Sequence, residues 1–186
     1  MAEAGFVFPT VVPALRNIGD WSEGFLKKDP QIVFVLGGSI NTIAKPISMM
    51  ERRGWKVFVH VDMLKGLSTD AEGLRFLSEY VGPTGIISTH ASTIQSAKKQ
   101  KLMTVQRLFL VDSQSLATGI NQVQTSRPDA VELMPGLVID AIRHMVRQLT
   151  CPVIAGGLIT SINQVEEALK AGAVSVSTSS RTLWVR

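Results

Sequence analysis

Residues 152–180, PVIAGGLITSINQVEEALKAGAVSVSTSS, decide the fold. An apolar run at Pro152–Ala155 ends in a glycine pair, and a second run at Val174–Ser177 ends in three hydroxyl residues. Between the two runs, Ser161 is suited to cap a helix over Ile162–Ala171, which a glycine then stops. Strand, helix and strand in this order predict a βαβ unit with parallel strands.

The same alternation runs along almost the whole chain. Six further runs predict strands at Val11–Leu15, Ile32–Leu36, Val57–Val61, Gly85–Ser88, Met103–Phe109 and Ala130–Met134. Segments with helical spacing lie at Ser39–Arg53, Ser68–Tyr80 and Leu137–Leu149. Eight strands separated by helical segments predict an α/β fold, a single-domain (β/α)₈ TIM-barrel-like structure over residues 11–186. A doubly wound open sheet is the alternative, and residues 1–10 are expected to form a loose N-terminal arm.

Length and composition agree with one small domain. The chain has 186 residues with 45% apolar content, which is enough for one core but short for such a barrel, so its loops must be brief. It has a single cysteine and no signal-peptide pattern or 18-residue apolar run, which predicts a cytoplasmic protein with no membrane partner. A net charge of +4 favours anionic partners such as phosphates or nucleic acid. Nothing in the sequence determines the oligomeric state.

The turns after the last two predicted strands are candidates for an anion site. In parallel barrels these two loops commonly hold a phosphate through main-chain N–H groups and the dipole of a short helix. Gly156 and Gly157 lie in the first turn, and Thr178 and Ser179 lie in the second. Glycine lets an anion approach the amides, and hydroxyl groups add donors. A tight turn would explain the glycine pair alone, but both turns together favour phosphate binding.

Polar residues near the ends of other predicted strands suggest contacts to the hydroxyl groups of a polyol. His60 and Asp62 alternate with valines in VFVHVD, and Glu132 alternates with apolar neighbours, so all three are expected to face inward. Buried polar groups cost free energy unless they are paired or liganded. Arg16 and Arg107 are the available partners, although periodicity leaves open whether Arg107 or the glutamine before it faces inward.

Catalysis and metal binding are weaker interpretations of the same residues. His60, Asp62 and Glu132 could act as acid/base groups or metal ligands, but no further ligand follows at a fixed spacing. The sequence has no GxSxG elbow, and Cys151 lies at the non-catalytic end of its strand. No lysine lies near the end of a predicted strand, which argues against a Schiff-base aldolase. Acid/base chemistry by His60, Asp62 and Glu132 stays possible, and the same side chains could equally bind the hydroxyl groups of a polyol without transforming it. We expect no metal and no cofactor.

Seven strings, in order, resemble the bacterial glycerol-3-phosphate-responsive antiterminator family: VPALRN, HVDMLKGL, GIISTH, VQRLFLVDS, PDAVELMPG, AGGLI and AGAVSVSTSSRTLW. The similarity spans about Val12–Trp184. It implies a TIM-barrel-like regulator, not an enzyme, that binds glycerol 3-phosphate and acts on leader mRNA to prevent transcription termination at glycerol-use genes. One departure is His90 at the end of GIISTH, where arginine is expected for the family.

The resemblance gives a reason to look for RNA contacts among the basic clusters. Candidates are Lys98, Lys99 and Lys101, together with Arg143 and Arg147. A further cluster is RRGWK at residues 52–56. Cations near helix C-termini are favourable on their own account, no RNA-binding motif is present, and 6% aromatic content offers few stacking platforms. The alternative function is a TIM-barrel isomerase, aldolase or lyase acting on a small phosphorylated substrate.

Overall fold

Eight parallel strands close into a barrel in the computed structural model, which describes residues 7–21 and 32–184. They are β1 (Val11–Leu15), β2 (Ile32–Val35), β3 (Lys56–His60), β4 (Gly85–Ser88), β5 (Met103–Phe109), β6 (Ala130–Met134), β7 (Val153–Gly156) and β8 (Ser175–Thr178). Each strand pairs with its neighbours in chain order, and β8 pairs with β1 to close the sheet. The predicted closed barrel is therefore confirmed, and the open-sheet alternative is wrong.

Six α-helices cover the outside of the described part of the barrel. They are α1 (Ile40–Arg52), α2 (Ala71–Phe76), α3 (Ala91–Lys99), α4 (Ser113–Ser126), α5 (Ile139–Gln148) and α6 (Ile162–Lys170). A π-helix at Leu77–Val81 continues α2 and ends at Gly82, whose φ is +68°. The side chains of Asp70, Asp112 and Ser161 accept hydrogen bonds from first-turn amides and fix the starts of α2, α4 and α6.

The structure differs from the sequence prediction in β3, α3 and α4. The strand predicted at Val57–Val61 ends at His60, and a 3₁₀-helix at Val61–Met63 follows it. Asp62 is therefore not part of the strand, and the alternation that was used to orient it does not apply. The helices α3 and α4 were not predicted individually, because their sequences are rich in serine, threonine and glutamine and carry a weak apolar stripe.

Strand alternation separates two apolar layers. Residues such as Val57, Val59 and Val131 point outward and pack against the helices. Inward residues at the end where the strands begin, here called the N-terminal end, form a second core inside the barrel. Phe34 and Phe58 meet there edge to face, with ring centroids 5.7 Å apart.

The arm before β1 contributes to this inner core where the structure describes it. Phe8 is buried, and its ring lies 6.4 Å from that of Phe58. The Ser175 hydroxyl donates to the Pro9 carbonyl at 2.6 Å. Residues 7–10 are thus attached to the barrel, and residues 1–6 lie outside the described residues. Across residues 7–21 and 32–184, no helix combines the length and apolar character needed to cross a membrane.

Candidate ligand site at the barrel mouth

A cavity of about 410 Å³ opens at the mouth, the end where the strands finish. The turns after β7 and β8 form one wall, and inward side chains of β5 and β6 lie beneath them. The lining residues that matter most are Arg16, Arg107, Glu132, Gly157, Ser177, Thr178, Ser179 and Ser180. The two turns singled out in the sequence therefore meet at a single cavity.

A buried ion pair forms the polar floor of this cavity. Arg107 Nε donates to Glu132 Oε2 at 2.6 Å, and the two side chains are only 5% and 0% exposed. Ser177 Oγ donates to the other Glu132 oxygen. Arg107 Nη2 is buried and has no hydrogen-bond partner within the part of the chain that the structure describes. Because an unmet buried donor costs about 1–3 kcal/mol, a ligand oxygen that accepts from Nη2 gains that much affinity.

The register of β5 shows which of Gln106 and Arg107 faces the inside of the barrel, which periodicity alone could not decide. Arg107 pairs with Glu132 of β6 and faces inward, as does Glu132 itself. Gln106 faces the helices instead, where its side-chain oxygen accepts from the Ser126 hydroxyl and its amide donates to Gln122 at 3.5 Å. The inward position therefore carries a permanent positive charge, because arginine stays protonated in proteins.

The two glycines after β7 have different physical roles. A side chain at Gly156 would place its Cβ 2.6 Å from Glu132 Oε1 and 2.6 Å from Ser177 Oγ. Gly156 is therefore small because the buried carboxylate lies against it, and not to admit an anion as the sequence suggested. Gly157 lines the cavity with a φ of +77°, and Leu158 follows it with a φ of +63°. Glycine is favoured at the first position of this turn, because it adopts a positive φ at little cost.

The turn after β8 is tied to the turn after β7 by Thr178. The Thr178 hydroxyl donates to the Ile159 carbonyl at 2.7 Å and accepts from the Ser180 amide at 3.0 Å. It therefore holds the two turns together rather than pointing at a ligand. Arg16 Nε donates to the Ser179 hydroxyl at 3.3 Å, so this cation lies beside the predicted phosphate turns and not at the predicted polyol end.

His60 lies behind the ion pair and does not line the cavity. It is 3% exposed, and its Nδ1 has no hydrogen-bond partner among residues 7–21 and 32–184. Burial, followed by the positive charge of Arg107, lowers the pKa of His60 from 6.5 to about 4. The imidazole is therefore neutral near pH 7.

Asp62 is occupied with structural hydrogen bonds and also lies off the cavity wall. It accepts from the Ser88 hydroxyl at 2.7 Å and from the amide and hydroxyl of Thr89 at 2.7 and 2.8 Å. Burial opposes ionisation, but these hydrogen bonds outweigh it and lower the pKa of Asp62. His90 Nδ1 lies 3.4 Å from Asp62 Oδ2, so His90 contacts the same carboxylate.

A second cavity of about 420 Å³ adjoins the first between the end of β5 and α4. It shares Arg107 with the first cavity and is otherwise lined mainly by hydroxyl, amide and carboxyl side chains, including Asp112 and Gln122. Within the described residues, no group of three or more His, Cys, Asp or Glu side chains is positioned to hold a metal ion.

The basic residues considered for RNA lie away from the mouth and from one another. Lys98, Lys99 and Lys101 are at the end of α3, which approaches the N-terminal end of the barrel. Lys98 donates to the Arg127 carbonyl and lies 3.6 Å from Asp129. The remaining candidates are on α5, where Arg143 is paired with Asp140 at 2.8 Å and Arg147 lies in the last turn.

The fold and the site together define a class of protein, a closed (β/α)₈ barrel with a buried arginine facing a cavity at its mouth. The chain belongs to the glycerol-3-phosphate responsive antiterminator family, whose sequence profile matches residues 11–184. This agrees with the resemblance carried by the seven sequence strings.

Individual relatives support the same family. A solved structure of the glycerol uptake operon antiterminator regulatory protein from Listeria monocytogenes is 35% identical, with a TM-score of 0.90 and 98% of each chain covered. A glycerol uptake operon antiterminator-related protein from Thermotoga maritima is 31% identical, with a TM-score of 0.84 and coverage of 97% of this chain and 100% of that chain.

Two further matches differ in what they show. The uncharacterized protein YgcP of Escherichia coli K12 is 34% identical over 154 residues, which are 83% of this chain and 81% of that protein. A putative deoxyribose-phosphate aldolase from Coccidioides immitis has a TM-score of 0.72 at 12% identity, covering 94% of this chain and 82% of that chain. At that identity the similarity shows the shared barrel fold alone.

Proposed function

We propose that this protein is a cytoplasmic transcription antiterminator that binds glycerol 3-phosphate at the barrel mouth and then retains leader mRNA of glycerol-use genes. In this proposal it is a regulator and not an enzyme. The observation that carries the ligand assignment is the unpartnered Nη2 of Arg107, buried beneath the two turns after β7 and β8. A small ligand that is anionic at one end and hydroxylated at the other satisfies both parts of the cavity.

The phosphate end of the ligand belongs beside the turns. Gly157 and Ser179 line that part of the cavity, and Arg16 lies next to Ser179 as an exposed cation. Glycine exposes main-chain amides to an anion, and arginine pairs well with phosphate oxygens. The turns also precede α6 and a 3₁₀-helix at Arg181–Leu183, whose N-terminal ends favour negative charge.

The glycerol end of the ligand belongs at the ion pair. A hydroxyl group can accept from Arg107 Nη2 and donate to Glu132, so a diol matches a cation and a carboxylate that lie side by side. Neutral His60 behind Arg107 adds no second positive charge to this end. In this arrangement His60 and Asp62 do not make the predicted polyol contacts, because neither side chain lines the cavity.

Calorimetric titration with glycerol 3-phosphate tests the ligand assignment. We expect the wild type to bind, and Arg16→Gln to bind roughly tenfold more weakly, because a charge-assisted contact contributes about 1.5–3 kcal/mol. Arg143→Gln removes the same charge from α5, far from the mouth, and should bind like the wild type. Absence of binding by the wild type would contradict the assignment.

The choice between regulator and enzyme is tested with the same complex. Prolonged incubation followed by phosphorus NMR should recover glycerol 3-phosphate unchanged, whereas conversion to another phosphate ester would support an isomerase, aldolase or lyase. Labelled leader RNA should bind more tightly when the ligand is present. Because the coupling between two binding sites is reciprocal, bound RNA should raise the affinity for glycerol 3-phosphate by the same factor.

A further inference from the structure

Two exposed aromatic rings stack on the outside of the barrel. Phe76 ends α2 and Tyr80 lies in the π-helix that follows, with ring centroids 5.0 Å apart and an angle of 24° between the rings. The side chains are 42% and 71% exposed. Water-exposed aromatic faces contribute little to folding, so the fold does not explain why two of them are stacked here.

Basic residues flank this aromatic pair on both sides. The helices α1, α2 and α3 follow the neighbouring strands β2, β3 and β4, so their C-terminal ends lie in a row at the N-terminal end of the barrel. The end of α1 carries Arg52 and Arg53, with Lys56 shortly after it, and the end of α3 carries Lys98, Lys99 and Lys101. All six of these side chains belong to exposed residues.

Hydrogen bonds fix the three helix ends relative to one another. Glu51 of α1 accepts from the amide and hydroxyl of Thr84 at 2.8 and 2.6 Å, and the Met103 amide donates to the Thr84 carbonyl at 3.2 Å. The Ser78 hydroxyl of the π-helix donates to the Gln100 carbonyl after α3, also at 3.2 Å. The aromatic pair and its basic flanks therefore form one surface, called here the aromatic–basic surface.

We infer that the aromatic–basic surface is where single-stranded RNA binds, an inference that rests on the proposed antiterminator function. Single-stranded RNA is held by stacking of bases on aromatic rings and by cations along its phosphates. The surface supplies both in the right order, with rings in the middle and cations on each side. The low aromatic content of the chain is therefore less informative than the position of these two rings.

Charge selects RNA over a second copy of this chain as the occupant. Two copies meeting through the Phe76–Tyr80 pair would bring two sets of six like charges together, which is unfavourable. Acidic residues nearby offset part of this charge, because Asp129 lies 3.6 Å from Lys98 and the exposed Glu79 precedes Tyr80 in the chain. An anionic polymer gains from the same cations, through release of its counterions.

The first test removes the rings while keeping apolar side chains. Binding of the labelled leader transcript would be measured with glycerol 3-phosphate present. The double variant Phe76→Leu/Tyr80→Leu should bind on the order of tenfold or more weakly, because leucine offers no stacking face. Tyr80→Trp keeps an aromatic face and should bind like the wild type. Thermal unfolding of each variant checks that the fold is retained.

The second test compares equal losses of charge on two sides of the barrel. Lys99→Gln/Lys101→Gln should make the slope of log K against log salt shallower by about 1.4, since each phosphate contact on a single strand contributes about 0.7. Arg143→Gln/Arg147→Gln removes two charges from α5, which follows a strand two positions further around the barrel than the strand before α3, and should leave the slope unchanged.

The outcomes separate this inference from the function on which it rests. If the wild type fails to bind leader RNA with glycerol 3-phosphate present, the antiterminator proposal itself is wrong. If the wild type binds and the leucine variant binds equally well, only the aromatic–basic surface is wrong. A leucine variant that loses self-association in light scattering, but keeps its RNA affinity, would assign the rings to a contact between copies and overturn the inference.

Discussion

The two ends of the barrel interior are built from the same strands but have opposite chemistry. On β3, Phe58 faces inward at the N-terminal end, and His60 follows two residues later toward the mouth. On β6 the same step leads from Ala130 to Glu132, and on β5 it leads from Val105 to Arg107. One end is a packed apolar core, and the other holds a buried ion pair with an unmet donor. Burial of apolar side chains stabilises the first end. At the second end, buried polar groups lower the stability of the fold, and a ligand can satisfy their hydrogen bonds.

The largest effect should come from breaking the ion pair at the mouth. Arg107→Leu leaves the Glu132 carboxylate buried with only the Ser177 hydroxyl as a partner, so we expect a loss of about 3–5 kcal/mol in urea unfolding. The exposed pair Arg143–Asp140 provides the control, because Asp140→Asn should cost at most about 0.5 kcal/mol. Equal effects of the two variants would show that the mouth pair is not desolvated.

A cavity at the apolar end should be comparably costly for stability but not for binding. Phe58→Ala removes a fully buried ring that contacts Phe34 and Phe8, and we expect a loss of about 3–5 kcal/mol. Under conditions where Phe58→Ala is folded, its affinity for glycerol 3-phosphate should stay within about twofold of the affinity of the wild type. A much weaker affinity would mean that the two ends are coupled.

Acid should destabilise the mouth end first, because of His60. Its folded pKa of about 4 lies below the unfolded value of 6.5, so the unfolded chain binds the extra proton between these values. The contribution of neutral His60 to the free energy of unfolding is complete above pH 6.5 and is lost as the pH falls toward 4. It amounts to about 3 kcal/mol at 1.36 kcal/mol per pH unit. Urea unfolding at several pH values should show this loss, and His60→Gln should remove most of it.

Further acidification should act through Asp62. The pKa of this carboxyl lies below its usual value of 3.8, so its stabilising hydrogen bonds are present above pH 3.8 and are lost as the pH falls through the folded pKa. For His60, a free energy of unfolding of the wild type that stays constant between pH 6.5 and 4 would mean that this side chain is solvated in the folded protein.

The smallest effect should come from a substitution in the turn after β7. Gly157→Val forces a β-branched side chain into a left-handed conformation, and we expect a loss of about 1–2 kcal/mol in stability together with weaker ligand binding. Gly157→Asn tolerates this conformation better and provides the control, since it should recover much of the stability but not the open approach to the amides. Wild-type affinity in both variants would place the phosphate elsewhere.

The barrel was predictable from the sequence because short apolar strands and helical segments alternate regularly along the chain. Each strand is a short apolar run, and alternation along β6 orients Glu132 inward without any knowledge of its neighbours. Local patterns could not decide contacts between residues that are distant in the chain. Gly156 gives the clearest example, because what requires its small size is Glu132, 24 residues earlier in the chain.

Residues at the edge of a periodic element were predicted less well. Asp62 follows the last strand residue of β3 by two positions, and the chain has already turned into a 3₁₀-helix there. Arg16 comes after β1, and only barrel closure between β1 and β8 brings it to Ser179. The stacking of Phe76 on Tyr80 is visible in the sequence as a spacing of four residues, but their position between two basic helix ends depends on the strand order.

A crystal structure of the complex with glycerol 3-phosphate tests the central claim most directly. We predict phosphate oxygens between the turns that contain Gly157 and Ser179, with a glycerol oxygen within hydrogen-bonding distance of Arg107 Nη2. A ligand held only in the neighbouring cavity beside α4, or a mouth that stays free of ligand at saturating concentration, would contradict the account.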